Sequence, residues 1–168
     1  LKGAGRAFSA GFDLDSGNGD DAHDLEALRR ELTDDFNIIM RFWDCPKPTI
    51  AAVHKYCLGG ALEMAAACDV TIAADDCRFG EPEVQFGSGI VVMILPWLIG
   101  PKAAKELLLT GDDKLSAERA ASMGLVNKVV APEELHGSAF AVAKTLSAND
   151  QLAVKLTKQA INRAYDIM

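Results

Sequence analysis

Apolar side chains recur every three or four positions in DLEALRRELTDDFNIIMRFWD, residues 24–44. This spacing predicts an amphipathic helix, which Pro46 and Pro48 would end because proline cannot continue a helix. The apolar face is formed by Leu25, Leu28, Leu32, Phe36, Ile39, Met40 and Trp43. The acidic side chains that alternate with it are most simply a solvated face.

Shorter apolar segments follow, and they alternate between two patterns. TIAAVH (49–54), DVTIAA (69–74) and LVNKVVA (125–131) are apolar and rich in β-branched residues, which predicts buried strands. The segment after Gly59 and Gly60 predicts a helix of about two turns, nearly apolar all round. We interpret RFGEPEVQFGSG (78–89) as turn-rich and IVVMILPWLI (90–99) as a helix broken near Pro96.

The second half of the chain predicts further helices with clear end signals. PKAAKELLLTG begins with Pro101 in its first turn and ends at Gly111. Ser116 caps SAERAASMG, which Gly124 ends. Pro132 begins another helix, and DQLAVKLTKQAINRAYDIM (150–168) forms one more. Because strands alternate with helices, the pattern predicts an α/β fold.

Composition and charge exclude several classes of protein. The net charge is −7, and residues 13–35 carry all of it, with nine acidic residues against Arg29 and Arg30. Without a basic stripe, nucleic-acid binding is not expected. No apolar stretch reaches the ~18 residues of a membrane span, so we expect no membrane association. The chain begins without Met and ends inside a predicted helix, so we expect a segment of a longer protein.

The cysteines indicate a reducing compartment. They form no CxxC pair, and little His lies nearby, so a zinc site is not expected. Three of them lie in apolar segments, as packed thiols do, and we therefore expect a cytoplasmic protein, although a leader ahead of residue 1 stays open. The cysteines are Cys45, Cys57, Cys68 and Cys77.

Three short segments could form one site: FSAGFDL (8–14), LGGALE (58–63) and FGEPE (79–83). The glycines of LGGALE end where a helix begins, so free N–H groups and the positive end of the helix dipole would face a ligand there. A second N–H from the AGF turn would complete an oxyanion hole. Taken singly, each segment is equally an ordinary tight turn. GGALEM also lacks the third glycine of GxGxxG, which removes the main support for a dinucleotide site.

The acidic residues of these segments have two interpretations each. Glu63 is either an acid favoured by a helix N-terminus or a group placed for chemistry, because an isolated buried carboxylate is costly. Glu83 is either a solvated loop acid or a second catalytic group. We expect Glu81 to be the more solvated of the two loop acids, because it precedes Pro82 in an extended stretch. His54 and His136 are predicted to be structural, since no nucleophile elbow accompanies them.

In this order, AFSAGFDL, CPKPTIAAVHKYCLGGALEMAAACDVTIAADDCRFGEPEV and LLLTGDDKLSAERAASMGLVNKVV resemble the enoyl-CoA hydratase/isomerase (crotonase) superfamily. The resemblance implies an α/β spiral of repeated ββα units with a C-terminal helical region, here truncated at both ends. It implies one domain, 1–168, with a core of about 1–131 and an incomplete helical region of about 132–168. It also implies a homotrimer or a dimer of trimers.

The resemblance assigns roles to the residues of the three segments. The N–H groups of Phe12 and Gly60 would polarise the thioester carbonyl of an acyl-CoA substrate. Glu63 would orient and activate the water that adds at C3, and Glu83 would protonate C2. The product would be a 3-hydroxyacyl-CoA, which makes the protein an enoyl-CoA hydratase, a hydro-lyase. The implied substrate contacts are Ala10, Gly11, Leu14, Gly59, Pro82 and Gly87.

No cofactor or metal is expected, because coenzyme A is part of the substrate. Enoyl-CoA isomerisation, or other chemistry of a CoA-thioester enolate, is the alternative activity. A binding protein on the same fold is the alternative outside enzymes, and some relatives bind RNA. The chain departs from the family pattern at Phe12, whose ring could shape the acyl pocket, at Asp15, which replaces a frequently basic residue, and along GSGIVVMILPW.

Overall fold

The structure is a computed structural model that describes residues 1–13 and 25–164. Its strands are short: β1 (Ile50–Val53), β2 (Tyr56–Leu58), β3 (Val70–Ala74), β4 (Arg78–Gly80), β5 (Leu115–Ser116) and β6 (Lys128–Val130). Its helices are α1 (Leu25–Asp44), α2 (Gly60–Ala67), α3 (Leu95–Thr110), α4 (Ala117–Ser122), α5 (Leu135–Ala148) and α6 (Gln151–Ala164). Two 3-10 turns cover Pro82–Phe86 and Pro132–Glu134.

The strands form two small sheets that the chain visits in turn. One sheet has the order β1-β3-β6 with all strands parallel, and the other has the order β2-β4-β5, in which only the β4–β5 pair is antiparallel. The N-terminal segment joins both sheets, because Lys2 bridges to Ala52 of β1 and Ser9 bridges to Cys57 of β2. Each passage of the chain thus adds to one sheet and then to the other. This arrangement confirms the predicted α/β spiral.

Helix α2 lies at the centre of the core, as its apolar sequence predicts. Seven of its residues are buried, and their small side chains allow close packing against α1, α3 and β2. Large buried side chains of the surrounding elements complete the core: Ile39, Val53, Ile72, Phe79, Val92 and Leu95. The only charged side chain of α2, Glu63, is therefore enclosed by apolar groups.

Several short elements differ from the sequence prediction. Strands β2 and β4 have three residues each and were not predicted, because neither is long enough to show an alternating pattern. The predicted helix over 90–99 is wrong in its first half, since α3 begins only at Leu95 and Pro96 lies in its first turn, where proline is tolerated. The break lies instead at Gly100, whose φ of 79° and ψ of 155° interrupt the helix.

Helix α6 is held to the core by a partly buried ion pair. Lys158 of α6 is 7% exposed and donates to Asp69 Oδ2 at 2.7 Å and to the carbonyl oxygen of Phe42 at 3.1 Å. Helices α5 and α6 confirm the predicted helical character of the region after Pro132, and residues 165–168 lie outside the described residues. In the described ranges, no helix combines the length and apolar character that crossing a membrane requires.

Candidate active site

The site is centred on the tight turn that leads from β2 into α2. Gly59 has φ 57° and ψ −136°, a backbone conformation that essentially only glycine adopts. Its N–H donates to the Gly80 carbonyl at 2.9 Å, and its carbonyl accepts from Leu62 and Glu63 at 2.7 and 3.1 Å. The intrahelical bonds of α2 therefore begin at Leu62. The N–H of Gly60 lies ahead of them, at the positive end of the helix dipole.

The Ala10–Gly11 turn packs directly against this glycine pair. Gly11 has φ +97°, and a Cβ at this position would lie 3.0 Å from the Leu58 carbonyl oxygen and 3.5 Å from the Gly60 nitrogen. The ring of the next residue, Phe12, covers Gly60 and is 43% exposed. The structure thus brings Phe12 and Gly60, the two proposed carbonyl-binding residues, into contact. Leu14, a predicted substrate contact, lies outside the described residues, as does Asp15.

Glu63 is buried and held by backbone amides rather than by a charged partner. Its side chain is 1% exposed, and its two carboxylate oxygens accept the N–H groups of Val91 and Val92, each at 2.8 Å. Burial raises the pKa of Glu63 to about 7, and the negative charges of Glu83 and Asp35 raise it further. The two hydrogen bonds from backbone N–H groups lower it. A carboxylate that titrates near neutral pH suits proton transfer.

Glu83 also contacts the turn that contains Gly59. It follows Pro82 in the 3-10 turn Pro82–Phe86, and its Oε1 atom contacts Gly59 where a side chain at that position would begin. Its Oε2 atom is buried and accepts no hydrogen bond from any residue in the described ranges. Gly87, with φ 76°, ends the 3-10 turn and donates its N–H to the carbonyl oxygens of Glu83 and Val84. Pro82 and Gly87 thus fix the backbone on either side of Glu83.

Glu81 is buried, so the prediction that it is a solvated acid is wrong. Its side chain is 1% exposed, and its N–H donates to the Asp112 carbonyl oxygen at 3.1 Å. Burial raises the pKa of Glu81 to about 11, and the negative charges of Glu83 and Glu63 add to this effect. The X-Pro pattern could not reveal this, because the enclosing residues are distant in sequence.

An apolar groove of about 480 Å³ begins beside Glu63. Val91, whose N–H binds Glu63, lines it together with Ile90 and the N-terminal half of α1. The lining residues of α1 are Leu25, Leu28, Arg29, Leu32, Thr33 and Phe36. Leu25 is 80% exposed, so the apolar face of α1 is only partly covered by the described residues. Val91 and Val92 were not predicted as site residues, because both contribute backbone N–H groups that no side-chain pattern reveals.

Other parts of the structure lie away from this chemistry. A larger groove of about 530 Å³ runs between α6 and the core and contains none of the three glutamates. His54 bonds the Gly5 carbonyl oxygen at 3.1 Å, and His136 lies in α5, as predicted. Cys57, Cys68 and Cys77 are buried free thiols. Within residues 1–13 and 25–164, no group of three or more His, Cys, Asp or Glu side chains could hold a metal ion.

The chain belongs to the enoyl-CoA hydratase/isomerase family, whose model matches residues 1–168. It is 46% identical over 122 residues to the short-chain-enoyl-CoA hydratase of Clostridium acetobutylicum, covering 70% of this chain and 46% of that protein. It is 36% identical over 177 residues to the probable mitochondrial enoyl-CoA hydratase of Dictyostelium discoideum, covering 99% of this chain and 59% of that protein.

Solved structures agree with the family assignment. The chain resembles an enoyl-CoA hydratase/isomerase from Xanthobacter autotrophicus Py2 with a TM-score of 0.91 and 51% sequence identity, covering 98% of this chain and 61% of that one. An enoyl-CoA hydratase from Geobacillus kaustophilus HTA426 gives a TM-score of 0.86 at 39% identity. The chain spans 46% and 59% of the two curated relatives and 61% of the first solved structure. The TM-scores of 0.91 and 0.86 show that the described part of the chain has the crotonase fold.

The buried carboxyl groups predict that the protein becomes less stable as the pH rises. Glu63 and Glu81 have an ordinary pKa of 4.5 but titrate near 7 and near 11 in the folded protein. At a pH between these values, the folded state holds protons that the unfolded state has lost. For each such proton, the free energy of unfolding falls by about 1.4 kcal/mol when the pH rises by one unit. Glu63 contributes this slope between about pH 4.5 and 7, and Glu81 contributes it up to about pH 11.

Denaturant unfolding of wild-type protein and Glu81→Gln, measured between neutral and alkaline pH, checks this prediction. Glutamine cannot titrate, so we expect the variant to lose stability less steeply with pH and to be the more stable protein at the alkaline end. Equal slopes for the two proteins would contradict the burial of a protonated Glu81.

Proposed function

We propose that this chain carries the active site of an enoyl-CoA hydratase, which adds water across the C2=C3 bond of a 2-enoyl-CoA. The observation that carries the proposal is the meeting of two carboxyl groups at one helix N-terminus. Glu63 lies in the first turn of α2, and Glu83 contacts Gly59 immediately before that turn. Burial is the main cause of the raised pKa of Glu63, and the charge of Glu83 adds to it.

The carbonyl end of the substrate would be bound by backbone amides. We propose that the N–H groups of Phe12 and Gly60 donate to the thioester oxygen, on which negative charge develops as C2 gains enolate character. Donors that are fixed before the reaction stabilise this charge more in the transition state than in the ground state. The Phe12 ring packs against Gly60, so the two residues that we propose as donors are neighbours, which supports this assignment. Ala10, Gly11 and Gly59 would then shape the backbone around that oxygen.

Each of the two glutamates would have a separate role toward the reacting water: Glu63 would bind it, and Glu83 would transfer one of its protons. Each oxygen of Glu63 accepts one hydrogen bond from a backbone N–H and has a second lone pair free. Glu63 can therefore also accept a hydrogen bond from water. The water oxygen then forms a bond to C3 while one of its protons passes through Glu83 to C2. The π electrons of the C2=C3 bond form the new C2–H bond. The second proton stays on the oxygen as the hydroxyl of the 3-hydroxyacyl product.

The apolar groove beside Val91 would receive the acyl chain. Its lining of leucine, isoleucine, valine and phenylalanine side chains favours hydrocarbon over polar groups. Leucine side chains of α1 that solvent now reaches would be covered by the bound chain. Coenzyme A would enter only as part of the substrate, and we propose no additional cofactor and no nucleic-acid partner. The proposed cellular compartment is the cytoplasm.

A homotrimer or a dimer of trimers is the assembly that we propose. Helices α5 and α6 expose apolar side chains, which a subunit interface would bury. These side chains are Phe140, Leu152, Leu156 and Ile161. We also propose that the chain is one domain, whose helical region begins after about residue 131.

Hydration of crotonyl-CoA and of longer 2-enoyl-CoA substrates tests the function. We expect the purified full-length protein to remove the absorbance of the conjugated double bond and to add the mass of one water to the product. A product of unchanged mass would instead indicate isomerisation, which the family description also covers. A well-folded protein that is inactive on every chain length would contradict the proposal, and salt-sensitive RNA binding by that protein would favour the non-enzymatic alternative.

A further inference from the structure

The proposed hydration leaves one buried acid of the site without a role. Glu81 is 1% exposed, and neither of its carboxyl oxygens has a hydrogen-bond partner among the described residues. The same is true of Glu83 Oε2, which is also buried. Three buried oxygens of adjacent glutamates therefore lack donors at one place. Buried polar atoms without partners are rare, and each such atom requires a specific explanation.

A single shared proton pairs two of these three atoms, one oxygen of Glu81 and Glu83 Oε2. Two ionised carboxylates cannot bond each other, because both only accept hydrogen bonds. If one of the two is protonated, it becomes a donor to the other, and such a bond between an acid and its anion is strong. Glu81 is the group that keeps the proton, because it is the more deeply buried of the two, whereas Glu83 Oε1 reaches Gly59 at the edge of the site.

We propose that Glu81 is a positioning residue whose protonated carboxyl group donates a hydrogen bond to Glu83 Oε2 and thereby holds Glu83 Oε1 against Gly59. This inference rests on the proposed function, in which Glu83 passes the proton to C2, and it assigns that transfer to Oε1. The bond to Oε2 leaves Oε1 with its lone pairs available. It also fixes the rotation of the Glu83 side chain, which proton transfer to carbon requires.

The surroundings of Glu81 favour a neutral acid. The charges that act on Glu81 are those of Glu83 from the 3-10 turn and Glu63 from α2, and both are negative. The nearby Cys57 thiol of β2 is fully buried, and burial raises its pKa well above the ordinary value, so it stays neutral and supplies no compensating charge. A metal ion does not supply the compensation, since the described residues include no group of three that could bind one.

Two substitutions of similar size separate this role from simple packing. Glu81→Gln keeps a hydrogen-bond donor without a titrating group, whereas Glu81→Met keeps the length of the side chain and removes the donor. We expect Glu81→Gln to retain most of the wild-type kcat. Glu81→Met should lose about ten- to a hundred-fold in kcat, the range for a lost hydrogen bond to a charged group, with little change in KM.

Infrared spectroscopy of the same full-length proteins tests the proton directly and does not depend on activity. At a pH between the pKa of Glu63, about 7, and that of Glu81, about 11, wild-type protein should show the absorption of a protonated carboxyl group, and Glu81→Gln should lack it. If the wild-type protein hydrates no enoyl-CoA, the proposed function fails, and the infrared result still decides the proton on Glu81. The inference is overturned if this absorption is absent, if it persists in Glu81→Gln, or if a folded Glu81→Met keeps wild-type kcat.

Discussion

Glu83→Gln is expected to lower kcat for enoyl-CoA hydration at least about 100-fold, the lower range for losing an acid–base group. The amide has nearly the shape of the carboxyl group but cannot carry the proton from water to C2. Because the carboxyl group of Glu83 lies at Gly59 and not in the acyl groove, KM should change much less than kcat. Steady-state kinetics on crotonyl-CoA, with binding of a non-reactive acyl-CoA measured in parallel, would separate the two effects.

Glu133→Gln is a matched control for this experiment. Glu133 also follows a proline at the start of a 3-10 turn, Pro132–Glu134, but it is exposed and lies away from the site. We expect this variant to retain wild-type kinetics. If Glu83→Gln retained activity near that of Glu133→Gln, Glu83 would have no part in the proton transfer.

Gly59→Ala is expected to be the most damaging substitution that adds a single carbon atom to the site. The added Cβ would overlap Glu83 Oε1, and alanine is strained at φ 57° and ψ −136°. Strain of this kind costs about 1–3 kcal/mol of stability. Displacement of Glu83 by about 1 Å would reduce kcat by about 100-fold, since proton transfer depends on close alignment. Thermal unfolding and kcat measured on one preparation would report both effects.

Gly100→Ala separates the backbone strain from the loss of alignment. Gly100 also has a positive φ, 79°, with ψ 155°, and a Cβ there would contact nothing within 4 Å. We expect Gly100→Ala to lower stability by a similar amount while leaving kcat close to that of the wild type. If both alanine variants lost activity equally, the contact between Gly59 and Glu83 would not explain the result.

Much of the fold could be predicted from local patterns. The spacing of apolar residues gave α1, the apolar run after Gly60 gave α2, and Ser116 was identified as the cap of α4, where its Oγ accepts the Arg119 N–H at 3.2 Å. Each of these depends on residues a few positions apart. Strands β2 and β4 could not be predicted in this way, because three-residue strands owe their existence to pairing with each other and not to their own sequence.

The site was predictable only in part, and for a similar reason. The order of the glycine turns and the glutamates indicated which residues to consider, and the structure brings Phe12, Gly60, Glu63 and Glu83 to the start of one helix. The N–H of Glu81 bonds the carbonyl oxygen of the distant Asp112, and the N–H groups that bind Glu63 come from the irregular segment before α3. Contacts between segments that are distant in sequence leave no local pattern, so these features required the structure.

The way in which Glu63 is held has a consequence for the evolution of this site. Its carboxylate is bound by the main chain at Val91 and Val92, while the Val91 side chain lines the acyl groove. Exchanging the Val91 side chain would reshape the groove without removing either amide. Under the proposed function, selectivity for the acyl group and the rate of water addition could therefore change independently, and a single substitution in the groove could adapt the site to a new substrate.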